Sequence, residues 1–210
     1  MSKIRALGVS SLVLLLVSCN TISAPLVVEK AFSLRDSFGN LVKVDRGEWE
    51  ATATMTRDDR FRLDIDLDSN DPFPPGEDNP DESYSFEFRV PAGNELPSEN
   101  GSFYLPSAES GQPVDVSGEL QTTRWRSDLR RGYEWCDYSC QEYICYGNND
   151  CGWRWTTCRG QRYVEYYTNY MKREFQFKVL PPGKSEVTNA RFEGSQTGAH
   201  NDYIHQGMCR

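Results

Sequence analysis

Apolar and polar positions alternate with period two along most of the chain. In "EWEATATM", Trp49, Ala51, Ala53 and Met55 fall on one side. After the turn-like "TRDDR", the stretch "FRLDIDL" sets Phe61, Leu63, Ile65 and Leu67 on one side and Arg62, Asp64 and Asp66 on the other. Successive strand side chains point to opposite faces, so this pair predicts a hairpin with one buried side. "YSFEFRV" repeats the rule through Tyr84, Phe86, Phe88 and Val90, and "REFQFKV" through Phe175, Phe177 and Val179. Shorter strand candidates lie near 26–34, 41–45, 102–105, 114–123, 161–168 and 187–193. No long segment carries a helical period. Many short strands between Pro, Gly, Asn and Asp clusters predict an all-β fold: an antiparallel β-sandwich or barrel-like domain, with the sandwich preferred.

Two segments break the alternation. "DSNDPFPPGEDNPDES" is rich in Pro and acid and has no Lys or Arg. Residues 124–160 are rich in Cys, Trp and Arg, opening with "RWR" and followed by "RYVEYY". This second segment reads either as a disulfide-rich excursion between two strands or as a small subdomain. A chain of 210 residues accommodates one ordinary domain.

The N-terminus has a different character. Lys3 and Arg5 form a positive start, and "ALGVSSLVLLLV" is an apolar run too short to span a bilayer as a helix. Leu16, Val17, Ser18 and Cys19 then resemble the lipobox of bacterial lipoproteins. The resemblance covers the first twenty or so residues. It implies a signal peptide over 1–18, cleavage before Cys19, and acylation of the Cys19 thiol and new amino group. Asn20 follows the lipid cysteine, where an aspartate is associated with inner-membrane retention. In a Gram-negative cell this implies the outer membrane. Residues 19–25 read as the lipidated N-terminus and a tether reaching at most about 20–25 Å. Residues 26–210 read as a single β-domain.

If Cys19 carries lipid, six of the seven cysteines remain: Cys136, Cys140, Cys145, Cys151, Cys158 and Cys209. An exported, oxidising compartment makes disulfides the expected use. No C-x2-C pair occurs, so zinc-ribbon, thioredoxin-like and haem-attachment patterns are absent from the sequence. Five cysteines cluster between 136 and 158, an odd number, so Cys209 is expected to pair with one of them and pin the C-terminus there. Six cysteines allow fifteen connectivities, and spacing does not choose among them.

Charge narrows the function classes. A net charge of −8 argues against a general nucleic-acid partner, which needs an excess of Lys and Arg to neutralise phosphates. Asp66, Asp68, Asn70 and Glu77 fall at positions 1, 3, 5 and 12 of a calcium-loop register. Asp71 stands where the sharp turn needs glycine and Pro72 follows, so this is not an EF-hand, and a solvated acidic loop is the simpler reading. His200 and His205, with Asp202 between them, match no metalloprotease spacing, and no nucleophile elbow, phosphate loop or dinucleotide fingerprint occurs. No metal or cofactor is expected.

Every basic residue between 121 and 170 is arginine, and four of the five tryptophans lie there. Arginine stacks on aromatic faces and forks onto carboxylates better than lysine does. Two readings follow for Trp125, Trp135, Trp153, Trp155, Arg124, Arg126 and Arg154. They pack around disulfides where a core is missing, or they form a recognition surface for cell-wall or surface glycan or for an envelope protein. The leading expectation is a lipid-anchored, non-catalytic envelope binding module. The alternatives are a structural envelope component, or a hydrolase with carboxylate or His200/His205 chemistry.

Overall fold

The alternating stretches become strands in the computed structural model, which describes residues 20–56, 60–67, 83–147, 150–184 and 186–210. In chain order these are β1 (Asn20–Val28), β2 (Phe32–Arg35), β3 (Leu41–Val44), β4 (Gly47–Thr56), β5 (Arg60–Asp66), β6 (Ser83–Arg89) and β7 (Gly101–Leu105). A one-turn helix α1 (Ser107–Ser110) precedes β8 (Asp115–Arg126), β9 (Arg130–Tyr146), β10 (Asp150–Leu180) and β11 (Ala190–Gln206). The ladder runs β6-β5-β4-β1-β11-β10-β8-β7, and the sheet curls into a nearly closed antiparallel barrel. Of the two builds that the alternation allowed, the chain therefore takes the barrel. The inward side chains that would face each other across a sandwich lie instead on one continuous curved face.

Aromatic side chains fill the interior. Phe61 on β5 lies with its ring 5.4 Å from Phe88, 5.7 Å from Phe103 and 5.3 Å from Phe177. Phe175, Phe177 and Phe192 continue the cluster across β10 and β11. Phe103 has room because Gly118 stands directly opposite it on β8; a Cβ there would lie 2.5 Å from the ring. The interior is thus packed with side chains, as small barrels are. The outer wall is polar. Arg62 pairs with Asp64 at 2.8 Å, and Arg60 with Glu87 at 3.1 Å. A bilayer-spanning barrel needs an apolar belt where these ions stand.

Residues 20–25 do not form the expected tether. They are the first part of β1, paired with β4 from Asn20↔Met55 through Val28↔Gly47. Ile22, Leu26 and Val28 are buried in the barrel, so the alternation of the domain begins before residue 26.

β6 and β7 end the ladder without pairing with each other, and beside β6 a buried side chain ties in the loop ahead of β8. Gln112 is buried; its amide donates to the carbonyls of Arg35 and Glu87, each at 2.9 Å, and accepts from the Arg35 N–H at 2.7 Å. The β2–β3 hairpin adds Phe32, Leu34 and Val44 to the core. Nearby, the buried Asp115 accepts from the Tyr104 hydroxyl at 2.6 Å and from the Ser107 and Gly183 N–H groups at 2.7 and 2.8 Å. Burial alone would raise its pKa, but these donors outweigh burial and hold the carboxyl below its usual value.

Two outcomes are expected. Phe61→Ala removes a ring from the centre of the cluster and should cost about 3–5 kcal/mol in denaturant unfolding. Asp115→Asn should cost about 1–3 kcal/mol near neutral pH, because an amide cannot accept from every donor there. The Asp115 contribution is complete above the unfolded carboxyl value near 3.8 and is lost as pH falls through the lower folded value. The gap between wild type and variant should therefore close in acid unfolding curves below that value.

Candidate functional site

β10 carries the site because it is far longer than the barrel needs. Its C-terminal part pairs with β8 and β11 in the barrel wall, and its N-terminal part pairs with β9 from Tyr166↔Arg130 to Asp150↔Tyr146. From Tyr166 to Cys151 the two strands project as a ribbon roughly 50 Å long at the usual rise of about 3.3 Å per residue. The segment read as an excursion or subdomain is thus two strands of the same sheet. Residues 150–160 are continuous with the barrel strand that ends at Leu180.

An isolated two-stranded ribbon is marginal in water. Three disulfides supply what burial does not. Cys145–Cys151 joins residues directly opposite each other near the tip. Cys140–Cys158 crosses the middle diagonally, and Cys136–Cys209 ties the C-terminus to the base. The expected pairing of Cys209 with a cluster cysteine is therefore present, with Cys136 as its partner. The tail also bonds to β10: Gln161 N–H to the Arg210 carbonyl at 2.9 Å, and Arg210 N–H to the Gln161 carbonyl at 3.2 Å. Gly160 permits that approach, because a Cβ would collide with the Arg210 carbonyl.

The register divides the ribbon into two faces. Trp153 stands opposite Tyr143, Trp155 opposite Gln141, Gln161 opposite Trp135 and Tyr163 opposite Tyr133. These residues share one face. Cys136, Cys140, Cys158, Glu142 and Arg154 alternate onto the other. On the aromatic face Trp153 is 70% exposed, Trp155 71%, Tyr143 60%, Trp135 61% and Tyr133 73%. These rings are exposed rather than buried as core substitutes, and the Cys145–Cys151 bridge lies on the same face beside Tyr143 and Trp153. Tyr143 and Trp153 meet edge to face at 5.7 Å, and the Arg159 guanidinium sits 5.1 Å from the Trp135 ring centre. Tyr143 and Tyr133 were missed in the sequence; the Cys145–Cys151 pair, once known, sets the register that places Tyr143 beside Trp153.

The remaining aromatic and arginine candidates lie elsewhere. Trp125 stacks on Tyr170 at 5.2 Å near the root of the ribbon. Arg124 forks onto Glu99 at 2.6 and 2.9 Å. Arg126 reaches Asp202 at 2.9 Å and covers the Tyr167 ring at 3.8 Å. These three brace the base of the ribbon. Arg154 stands across from Glu142 on the face opposite the tryptophans. Trp135, Trp153 and Trp155 are the members that share the exposed face.

Catalytic and metal chemistry find little here. His200 and His205 lie on β11, opposite Asn169 and Glu165, four positions apart on β10 and so roughly 13 Å from each other. Asp202 between them is engaged by Arg126. Among the described residues, the one cluster with metal-ligand geometry is Cys140, Glu142 and Cys158, and its two sulfurs are joined in a disulfide. Asp66 ends β5; Asp68, Asn70 and Glu77 lie outside the described residues, as does Cys19. The carboxyls of Asp36, Glu99, Asp115 and Glu134 are all shifted downward. Glu134 is held low by hydrogen bonds from Tyr203 and Arg162. A general acid needs the opposite shift. A shallow groove of about 390 Å³ is lined by Glu119, Glu174 and Glu193 together with Gln121, Gln176, Phe175, Gly194 and Ser195. Glu174 there is paired with Lys172 at 2.6 Å, and Glu119 accepts from Gln121 at 2.8 Å.

No protein-family model, curated protein or solved structure matches this chain.

The disulfides should differ in worth. Chain-entropy estimates are about 4 kcal/mol for Cys136–Cys209, separated by 73 residues, and about 2 kcal/mol for Cys145–Cys151, separated by 6. A Cys136→Ser/Cys209→Ser variant should lose more stability in denaturant than Cys145→Ser/Cys151→Ser. The second variant should raise hydrogen exchange at the ribbon tip and leave barrel amides protected.

Proposed function

We propose that this chain is a bacterial envelope lipoprotein, anchored through Cys19, that acts as a non-catalytic contact module through its aromatic ribbon. In a Gram-negative cell its place is the outer membrane. The observation that carries the reading is one exposed face bearing Tyr143, Trp153, Trp155, Trp135 and Tyr133 on a covalently stiffened support. Exposed tryptophan and tyrosine cost solvation unless they serve a contact, and they are the side chains that dominate contact energies. Rigid rings lose little entropy on binding, and the disulfides hold them ready. Stacking of this kind suits the apolar face of a sugar ring in an envelope glycan, or the surface of another envelope protein. A packed barrel interior and carboxyls with lowered pKa values give the hydrolase alternative less support.

Two measurements test this. The intact mass of protein extracted from its own membranes should show acyl groups on Cys19 and six cysteines in three bridges. Disulfide-bonded protein without lipid should sediment with purified envelope fragments, and Trp153→Ala/Trp155→Ala should remain in the supernatant. Both side chains are mostly exposed, so the double change should alter stability by no more than about 0.5 kcal/mol per site. Retention of the double variant in the pellet would place the contact elsewhere.

A further inference from the structure

β1 settles where an anchor at Cys19 would sit. It is antiparallel to β11, with Val28↔Ala190 and Leu26↔Phe192. The chain read backwards from Val28 to Asn20 therefore runs the same way as β11 from Ala190 towards Gln206. That direction leads into the ribbon. Gly194 lies against Ile22 and Ala24, so β1 and β11 remain neighbours beyond the last paired residues. Residue 20 thus stands at the end of the barrel from which the ribbon leaves. Asn20 is already in the ladder, opposite Met55, so the described fold begins one residue after Cys19 in the sequence.

We propose that the partner of the aromatic face is the headgroup region of the membrane that holds the anchor. This rests on the reading of Cys19 as the lipid carrier and of the ribbon as the contact surface, and adds what that surface touches. A ribbon roughly 50 Å long that starts beside the anchor and points past it meets the bilayer. It cannot cross it. Among the described residues, the outer edge of β9 has no strand partner, and its free N–H and C=O groups could not be satisfied in hydrocarbon. The ribbon lies along the interface instead, with one face down.

The aromatic face has the chemistry for this. Tryptophan and tyrosine concentrate at the headgroup level of membranes, where an apolar ring and a polar edge are both accommodated. Here they recur as a row of exposed rings on one face of the ribbon from Tyr133 to Trp155, which fits an extended surface better than a single sugar. Charge agrees. Residues 130–166 contain five arginines and five acidic residues, so the whole excess of −8 lies outside the ribbon. The barrel is repelled by an anionic surface and the ribbon is not.

The test uses the full acylated protein in vesicles of phosphatidylethanolamine and phosphatidylglycerol whose acyl chains carry bromine, a contact quencher of tryptophan. Wild-type emission should be quenched relative to unbrominated vesicles. Trp153→Phe/Trp155→Phe, with unchanged circular dichroism, should lose most of that quenching. Equal emission in both vesicle types would overturn the proposal. So would wild-type emission that ignores bromine but shifts when cell-wall glycan fragments or solubilised envelope proteins are added, because the face would then belong to that partner. The mass of the same sample separates the two layers of the argument. An unacylated Cys19 would refute the anchor, while quenching of that unacylated protein would still support the ribbon's contact with lipid.

Discussion

β10 is paired along its whole length, but with different neighbours in turn, and the rest of the molecule is arranged by that sequence of pairings. Between Asn169 and Leu180 it is an inner stave of the barrel, held by β8 on one side and β11 on the other. Its odd-numbered residues Phe175, Phe177 and Val179 point into the core. Towards its N-terminus it has left the barrel and pairs with β9. β10 itself runs through the transition as one strand, although its register with β11 shifts there, between Glu165 and Tyr166. The direction of the ribbon is thereby set by packing some distance away, around Phe61 and Phe177. No hinge is needed to aim it.

The two halves of that strand are stabilised by different physics. The barrel excludes water with a phenylalanine cluster and joins the β2–β3 hairpin to β6 through the bonds of Gln112. The ribbon has water on both faces over most of its length and relies on covalent crosslinks. Oxidation state therefore acts on the ribbon far more than on the barrel. A reducing compartment would remove the support on which Trp153 and Trp155 stand and lower the stability of the whole fold through Cys136–Cys209.

This division explains what could be read in the sequence. "FRLDIDL" and "REFQFKV" announce themselves because burial on one side and water on the other imposes alternation. The ribbon has no buried side, so "CDYSCQEYICYGNNDCGWRWTTC" carries no such pattern and looked like an interruption. The parity of its cysteines was legible, and so was the need for Cys209 as a partner; the pairing with Cys136 required the register. β1 was missed for another reason. Ile22, Ala24, Leu26 and Val28 do alternate, but Pro25 falls among them and the stretch resembling a lipobox ends just before, which made these residues look like a linker. The placement of Trp125, Arg124 and Arg126 at the root, apart from Trp153 and Trp155, also depends on pairings far apart in the chain.

The early start of β1 has a mechanical consequence. Force applied at the N-terminus enters the fold through a strand flanked by β4 along all nine of its residues. A pull along that strand loads its cross-strand bonds together, in shear, instead of opening them one at a time from an end. Any attachment at that end would load a part of the barrel well able to bear tension, and the domain would answer such a pull by turning as a rigid body before it unravelled.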